Sequence, residues 1–264
     1  MERANSTPTP MVASQKLAVE GAGKPLSDAR EYRSIVGMLL YACHTRPDIT
    51  YSVNRVAQFM HALCELHMVA VKKILRYLVG TQDLGLIFTR SSSSPQVVAF
   101  SDADWGSSTV DRRSISGHCV FVGNGLVTWN SSKQKVVSRS TMEAEYRSLA
   151  DSAAEVIWIN ALLKEIGIKL EQVPTIWCDN KSAIALTANP VYHARSKHVD
   201  LDIHFVREKV ALNQICVNYI PTTHQIADGF TKPLTRVMFE AFRNKVCVKK
   251  LEEAGGMLNE GMHA

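Results

Sequence analysis

The stretch Val97-Val98-Ala99-Phe100-Ser101-Asp102-Ala103-Asp104-Trp105 decides the fold, because it reads as a β-strand that carries acid into a sheet. Alternation places Val98, Phe100, Asp102 and Asp104 on one side, and Val97, Ala99, Ser101, Ala103 and Trp105 on the other. A carboxylate beside Phe and Val is costly to bury unless a cation or hydrogen-bond donors compensate it. The strand therefore asks what its aspartates hold.

Downstream, "ISGHCVFVGN" and "GLVTWNSS" read as a hairpin around Gly123-Asn124-Gly125, since Asn-Gly is the strongest short hairpin signal. "KVVSRS" extends the second arm or forms a short further strand. A long helix is expected from Thr141 to about Ile166, capped at Ser140 or Thr141 and ended by Gly167. "TIWCDN" is a short strand closed by Asp179, and "KSAIALTAN" a helix broken at Pro190. Beyond the basic loop "YHARSKH" come a helix over about 200–212, the strand "QICVNYI" and a helix from near Ile226. Strands first and α/β alternation later imply an α/β class, a mixed five-stranded sheet flanked by helices.

Upstream the texture differs. Residues 1–26 are rich in Ser, Thr, Pro, Ala and Gly and read as a flexible N-terminal segment. Over 27–90 three helical patterns follow. The first is capped by Ser27 or Asp28, carries Tyr32, Ile35, Leu39 and Leu40, and ends at the turn "HTRPD". The second runs from about Pro47 to His61, the third from about Glu65 to Val79. Lys72, Lys73 and Arg76 on the third form a solvated face or a phosphate-facing stripe. His61-x-x-Cys64-x-x-His67 has ligand-like spacing, but an i, i+3, i+6 run rotates off one helix face and no fourth zinc ligand stands nearby. The end, 249–264, reads as a flexible tail.

Composition bounds these readings. A chain of 264 residues, 46% hydrophobic and 21% charged, has material for a real core. Its net charge of +5 is compatible with an anionic partner without requiring one. The six cysteines lie in apolar runs with no C-x-x-C pair, as expected of reduced core residues in an intracellular protein. Neither a membrane-length apolar run nor a basic-then-apolar leader occurs, so neither membrane insertion nor secretion is expected.

Four acids stand where such a sheet would gather them: Asp102 on the first strand, Glu145 early in the long helix, Asp179 closing "TIWCD" and Asp228 opening the last helix. Strand ends and helix starts share one rim in α/β sheets. Four carboxylates on one rim repel each other strongly, and two divalent cations remove that repulsion while activating water at a phosphodiester. Hard oxygen ligands favour magnesium or manganese.

The order strand-Asp, helix-Glu, strand-Asp, helix-Asp resembles ribonuclease H. More closely, the chain resembles the C-terminal end of the Pol polyprotein of copia-type LTR retrotransposons. The matching text is "YRSIVGMLLYACHTRPDITYSVN", "AVKKILRYLVGT", "SDADWGSSTVDRRSISGHCVFVG", "WNSSKQKVVSRSTMEAEYRSLA", "WCDNKSAI", "RSKHVDLDIHFVRE" and "QIADGFTKPL". The resemblance implies a ribonuclease H-like domain over about 93–248, preceded at 27–90 by a helical connection remnant of reverse transcriptase. It implies an endoribonuclease that cuts the RNA strand of RNA–DNA hybrids with two Mg2+ ions, Mn2+ being a substitute. Its metal ligands map onto Asp102, Glu145, Asp179 and Asp228, choosing Glu145 over Glu143 and Asp102 over Asp104. Asp104 is left beside the ligands, exposed at the strand end, or in a direct role. For proton transfer or product release the family's loop histidine corresponds to His224, with His198 as the alternative. No Asp-Asp dipeptide occurs in the chain, so no polymerase site is expected.

Arg112, Arg113, Lys133, Lys135, Arg139, Arg195 and Lys197 are candidate phosphate contacts, which position a duplex without reading its bases. Expected partners are the RNA–DNA hybrid and the remaining Pol domains, reverse transcriptase and integrase, in a cytoplasmic virus-like particle or the nucleus. The rivals are an integrase or transposase of the same fold, which the acid order disfavours, and a relic or domesticated fragment that binds nucleic acid without cutting it.

Overall fold

The computed structural model describes residues 4–12, 17, 23–26, 28–90, 94–108, 110–188 and 199–250. Ser27, Pro190, Arg195, Lys197, His198 and the tail beyond 250 lie outside the described residues, as does most of the segment 13–22. Two compact units emerge: Met1–Phe88 with Lys232–Ala264, and Thr89–Thr231. Along the chain the elements are α1 (Ala29–Ala42), α2 (Thr50–Ala57), α3 (Glu65–Val79), β1 (Leu84–Leu86), β2 (Val97–Asp104), β3 (Ile115–Val122) and β4 (Gly125–Lys133). They continue as α4 (Thr141–Glu165), β5 (Thr175–Cys178), α5 (Lys181–Ala188), α6 (Asp200–Ala211), β6 (Cys216–Tyr219), α7 (Asp228–Thr231), α8 (Arg236–Lys245) and β7 (Val248–Lys250). Among the described residues no helix is long and apolar enough to cross a membrane.

In the first unit, Asp28 caps α1 by accepting from the Arg30 N–H at 2.8 Å. The sequence "RPD", expected only to end a helix, is instead an ionic knot. Arg46 donates to both oxygens of Asp48 at 2.9 and 2.8 Å, and Tyr77 donates its hydroxyl to Asp48 Oδ2 at 2.6 Å. Arg46 also reaches Thr81 Oγ1 at 2.9 Å and Thr81 O at 3.1 Å, tying the turn to the end of α3. Burial, and after it the Asp48 charge, pushes the Tyr77 phenol up, so it remains a donor. His67 is a core residue rather than a ligand. Its Nδ1 accepts from the Cys64 N–H at 3.1 Å, and its ring stacks on Phe59 at 4.3 Å between centroids.

The C-terminal elements correct two expectations. Helix near Ile226 is only the single turn α7, and a second helix, α8, begins after Pro233. Phe239 of α8 packs edge-on against Tyr77 at 5.5 Å, both in the compact unit that holds residues 232–264. Lys249 and Lys250 are not frayed, because β7 pairs antiparallel with β1, Leu86 opposite Val248 and Leu84 opposite Lys250. "KVVSRS" forms no strand.

The second unit is the expected mixed five-stranded sheet flanked by helices. Its strand order is β4-β3-β2-β5-β6. The first three strands are antiparallel, and β5 and β6 run parallel to β2. The hairpin turn has Gly123 at φ 59°, the left-handed conformation that favours glycine. Helix α4 starts where the Ser140 side chain accepts from the Glu143 N–H at 3.2 Å.

The two faces of β2 are unequal. Val97 and Ala99 belong to the main core with Tyr146, Leu149 and Ala153 of α4. Phe100, on the Asp102 face, is half-buried and meets Phe121 edge-on at 6.1 Å. Asp102 is therefore buried against a thinner layer, the turn α7, and not against the principal core.

Candidate metal centre

Register sets the centre. Ser101 of β2 lies beside Cys178 of the parallel strand β5, so the next residues, Asp102 and Asp179, project at the same level from neighbouring strands. Glu145, in the second turn of α4, supplies a third acid from the helix layer. A carboxylate oxygen of Glu145, one of Asp179 and the sulfur of Cys178 all lie within 4.8 Å of one another. Among the described residues this is the one such group of potential metal ligands.

Cys178 reports the field of the site. Its thiol is pushed up first by burial, then by the negative charge of Glu145, Asp179 and Asp102, against an opposing backbone hydrogen bond at Asn180. Three acids thus act on one buried sulfur, which stays a thiol and is a poor ligand for a hard cation. The donor set that remains is carboxylate oxygen, which fits a magnesium- or manganese-like ion.

Asp228 comes from the opposite layer. It opens α7, and Thr231, one turn later, donates its hydroxyl to Asp102 Oδ2. Asp102, Glu145 and Asp228 are all buried, at 4, 4 and 5% exposure, while Asp179 is half-buried at the rim. Gly117 makes the approach of α7 possible. It stands opposite Asp102 in the register, and a Cβ there would lie 2.6 Å from Thr231 Cγ2 and 2.8 Å from Phe230 Cβ. On the other side Ser148 donates to the Asp102 carbonyl at 2.8 Å.

The neighbouring acids are placed elsewhere. Glu143 is occupied at the start of α4, accepting from the Arg139 N–H at 2.9 Å and from Arg147 at 3.0 Å. Asp104, the last residue of β2, is half-buried. His224 is exposed in a 3₁₀ turn, Thr222–His224, and that turn touches the centre through Thr222, whose hydroxyl donates to Asp179 Oδ2 at 2.7 Å. Gln225 anchors the same loop to the Ser101 carbonyl at 3.0 Å.

Among the described basic candidates, two are already paired with an acid. Lys133 pairs with Asp111 at 2.8 Å and Arg113 with the same carboxylate at 3.5 Å. Although desolvation pushes Asp111 up, these contacts hold it down at about 2. Lys133 and Lys135 line a separate polar cavity of about 620 Å³ with His118, Arg147 and Asp202, whose lining includes none of the four acids. Arg112, at φ 57°, and Arg139 are exposed. Sequence reasoning missed Thr222, Thr231, Gln225, Ser148 and Gly117. The available signal was spacing: Ser148 and Thr231 each lie three residues after an acid, on the same helix face.

No family model matches the chain. The Retrovirus-related Pol polyprotein from transposon RE2 of Arabidopsis thaliana is 46% identical over 259 residues, 98% of this chain and 18% of that protein. The chain thus spans under a fifth of the length of that relative. The N-terminal RNase H domain of rv2228c from Mycobacterium tuberculosis, 12% identical, aligns over 57% of this chain and 98% of its own with a TM-score of 0.39. The foamy viral protease-reverse transcriptase in complex with RNA/DNA hybrid, 13% identical, aligns over 77% of this chain and 26% of its own with a TM-score of 0.47.

Proposed function

We propose that the chain belongs with the retrovirus-related Pol polyproteins of transposons, to two of which it is 46% identical, and that its sheet-bearing unit is a metal-dependent ribonuclease H. It would cut the RNA strand of RNA–DNA hybrids within a copia-type polyprotein, with the helical unit at 27–90 as the reverse-transcriptase connection segment. The observation that carries this reading is the gathering of Glu145 and Asp179 within 4.8 Å around a thiol that also feels Asp102. A divalent cation bound among these acids would relieve their mutual repulsion.

Asp102, Glu145, Asp179 and Asp228 are the residues to hold two Mg2+ ions, with Mn2+ as a substitute. Bound there, the ions would activate a water and stabilise charge on the cleaved phosphodiester. The protein's own contributions are orientation and proton handling. Thr231 and Ser148 fix Asp102 from side chain and backbone. His224, on the loop tied to Asp179 through Thr222, is the proposed group for proton transfer or product release. Exposed Arg112, Lys135 and Arg139 are proposed phosphate contacts, whereas Arg113 and Lys133 first have to leave Asp111. Arg195 and Lys197 are proposed for the same role from sequence alone. The RNA–DNA hybrid and the other Pol domains are the proposed partners.

The test is incubation of the purified chain with labelled RNA–DNA hybrid, single-stranded RNA and duplex DNA, with Mg2+ or with chelator. Magnesium-dependent loss of only the hybridised RNA is expected, and Asp102→Asn or Glu145→Gln should abolish it. Cleavage surviving in both variants, or hybrid binding without any cleavage, overturns the nuclease reading.

A further inference from the structure

We propose that the segment Thr222–Thr231 is a hydroxyl clamp that orients the two strand carboxylates, Asp102 and Asp179, for divalent metal. Thr231 and Thr222 are its positioning residues. The inference rests on the reading of the acids as metal ligands.

The clamp reaches both strands from one short piece of chain. Thr231, fully buried, donates to Asp102 Oδ2, and Thr222, exposed, donates to Asp179 Oδ2 at 2.7 Å. Asp228, the remaining acid of that layer, lies between them in sequence. Each contact engages one oxygen of its carboxylate, and a carboxylate has lone pairs for about four partners. A hydroxyl donor therefore holds the rotation of the group while occupying only one of those positions. A hydroxyl is also neutral. It orients the carboxylate without cancelling the charge that a cation needs, which a guanidinium in the same place would do.

The segment is itself held rigidly. Gln225 donates to the carbonyl of Ser101, the residue before Asp102, at 3.0 Å and accepts from the Ala227 N–H at 3.2 Å. The absent side chain at Gly117 lets Thr231 press onto β3 beside Asp102. Outer partners of this kind set the affinity of a metal site by fixing its ligands before the ion arrives.

The test is titration of the full chain with Mg2+ by calorimetry, and with Mn2+ by its EPR signal, for the wild type, Thr231→Val, Thr222→Val, Thr231→Ser and Thr222→Ser. Thr231→Val should raise the Mg2+ dissociation constant roughly tenfold to hundredfold, and Thr222→Val about threefold to tenfold. The serine variants should bind as the wild type does, because they keep the donor. Melting of each metal-free protein confirms that the variant folds, and exposed Thr222 carries the test by itself if Thr231→Val does not. Valine variants that fold and bind Mg2+ like the wild type overturn the clamp and leave the nuclease reading standing. A wild type that binds neither ion overturns both. Metal binding that depends on the threonines, in a protein that cuts no hybrid, supports the clamp and overturns the nuclease.

Discussion

Asp48 in the helical unit and Asp102 in the sheet unit are buried to nearly the same degree, 3 and 4% exposed, yet different chemistry stands against them. Asp48 receives two N–H groups from Arg46 and a hydroxyl from Tyr77, so its charge is cancelled where it stands. Asp102 receives the Thr231 hydroxyl and shares with Glu145 and Asp179 a negative field felt at Cys178. Burial of an acid is thus no sign of function in itself. The neighbours decide whether it is closed architecture or a place held for a cation.

Substitution separates the two most sharply. Asp48→Ala leaves Arg46 buried without its counter-ion and should cost about 3–5 kcal/mol, read by urea denaturation. His118 offers a third arrangement, a titratable group buried in its neutral form. Burial pulls it down to about 4 from its ordinary 6.5. Between those values the unfolded chain binds the extra proton, so stability falls as pH drops through that window, by about 2–3 kcal/mol at its foot. His118→Gln should flatten the melting temperature between pH 6.5 and 4 relative to the wild type. A parallel slope in the two proteins refutes this. The smallest effect is expected at the acid centre. Asp102→Asn in chelator should change stability by no more than about 1 kcal/mol, since it relieves repulsion while keeping a hydrogen-bond acceptor. An Asp102→Asn loss as large as that of Asp48→Ala breaks the contrast.

What the sequence made legible follows from locality. Alternation marked β2, the Asn-Gly pair marked the hairpin, and Ser140 and Gly167 bracketed α4, because each signal lies within a few residues of what it controls. The positions of the four acids at strand ends and helix starts were readable for the same reason. Long-range pairings were not. The strands β1 and β7 have three residues each and are separated by most of the chain, so neither carries a pattern of its own. Arg46 and Asp48 looked like a turn because their third partner, Tyr77, sits a helix away. The two faces of β2 could not be ranked, since which layer is thicker depends on where α4 and α7 fall. Lys133 and Arg113 read as free cations until Asp111 appeared beside them.

Gly117 has a consequence for reading sister sequences. Transposon copies accumulate changes, and an intact set of acids is the obvious measure of whether one can still work. A copy that keeps Asp102, Glu145, Asp179 and Asp228 but carries any side chain at 117 has no room for Thr231 against β3. On the proposed reading, such a copy would keep all four acids and lose the seat of Thr231 beside Asp102. One glycine, invisible to a search for carboxylates, would then mark a damaged centre that a count of acids passes over.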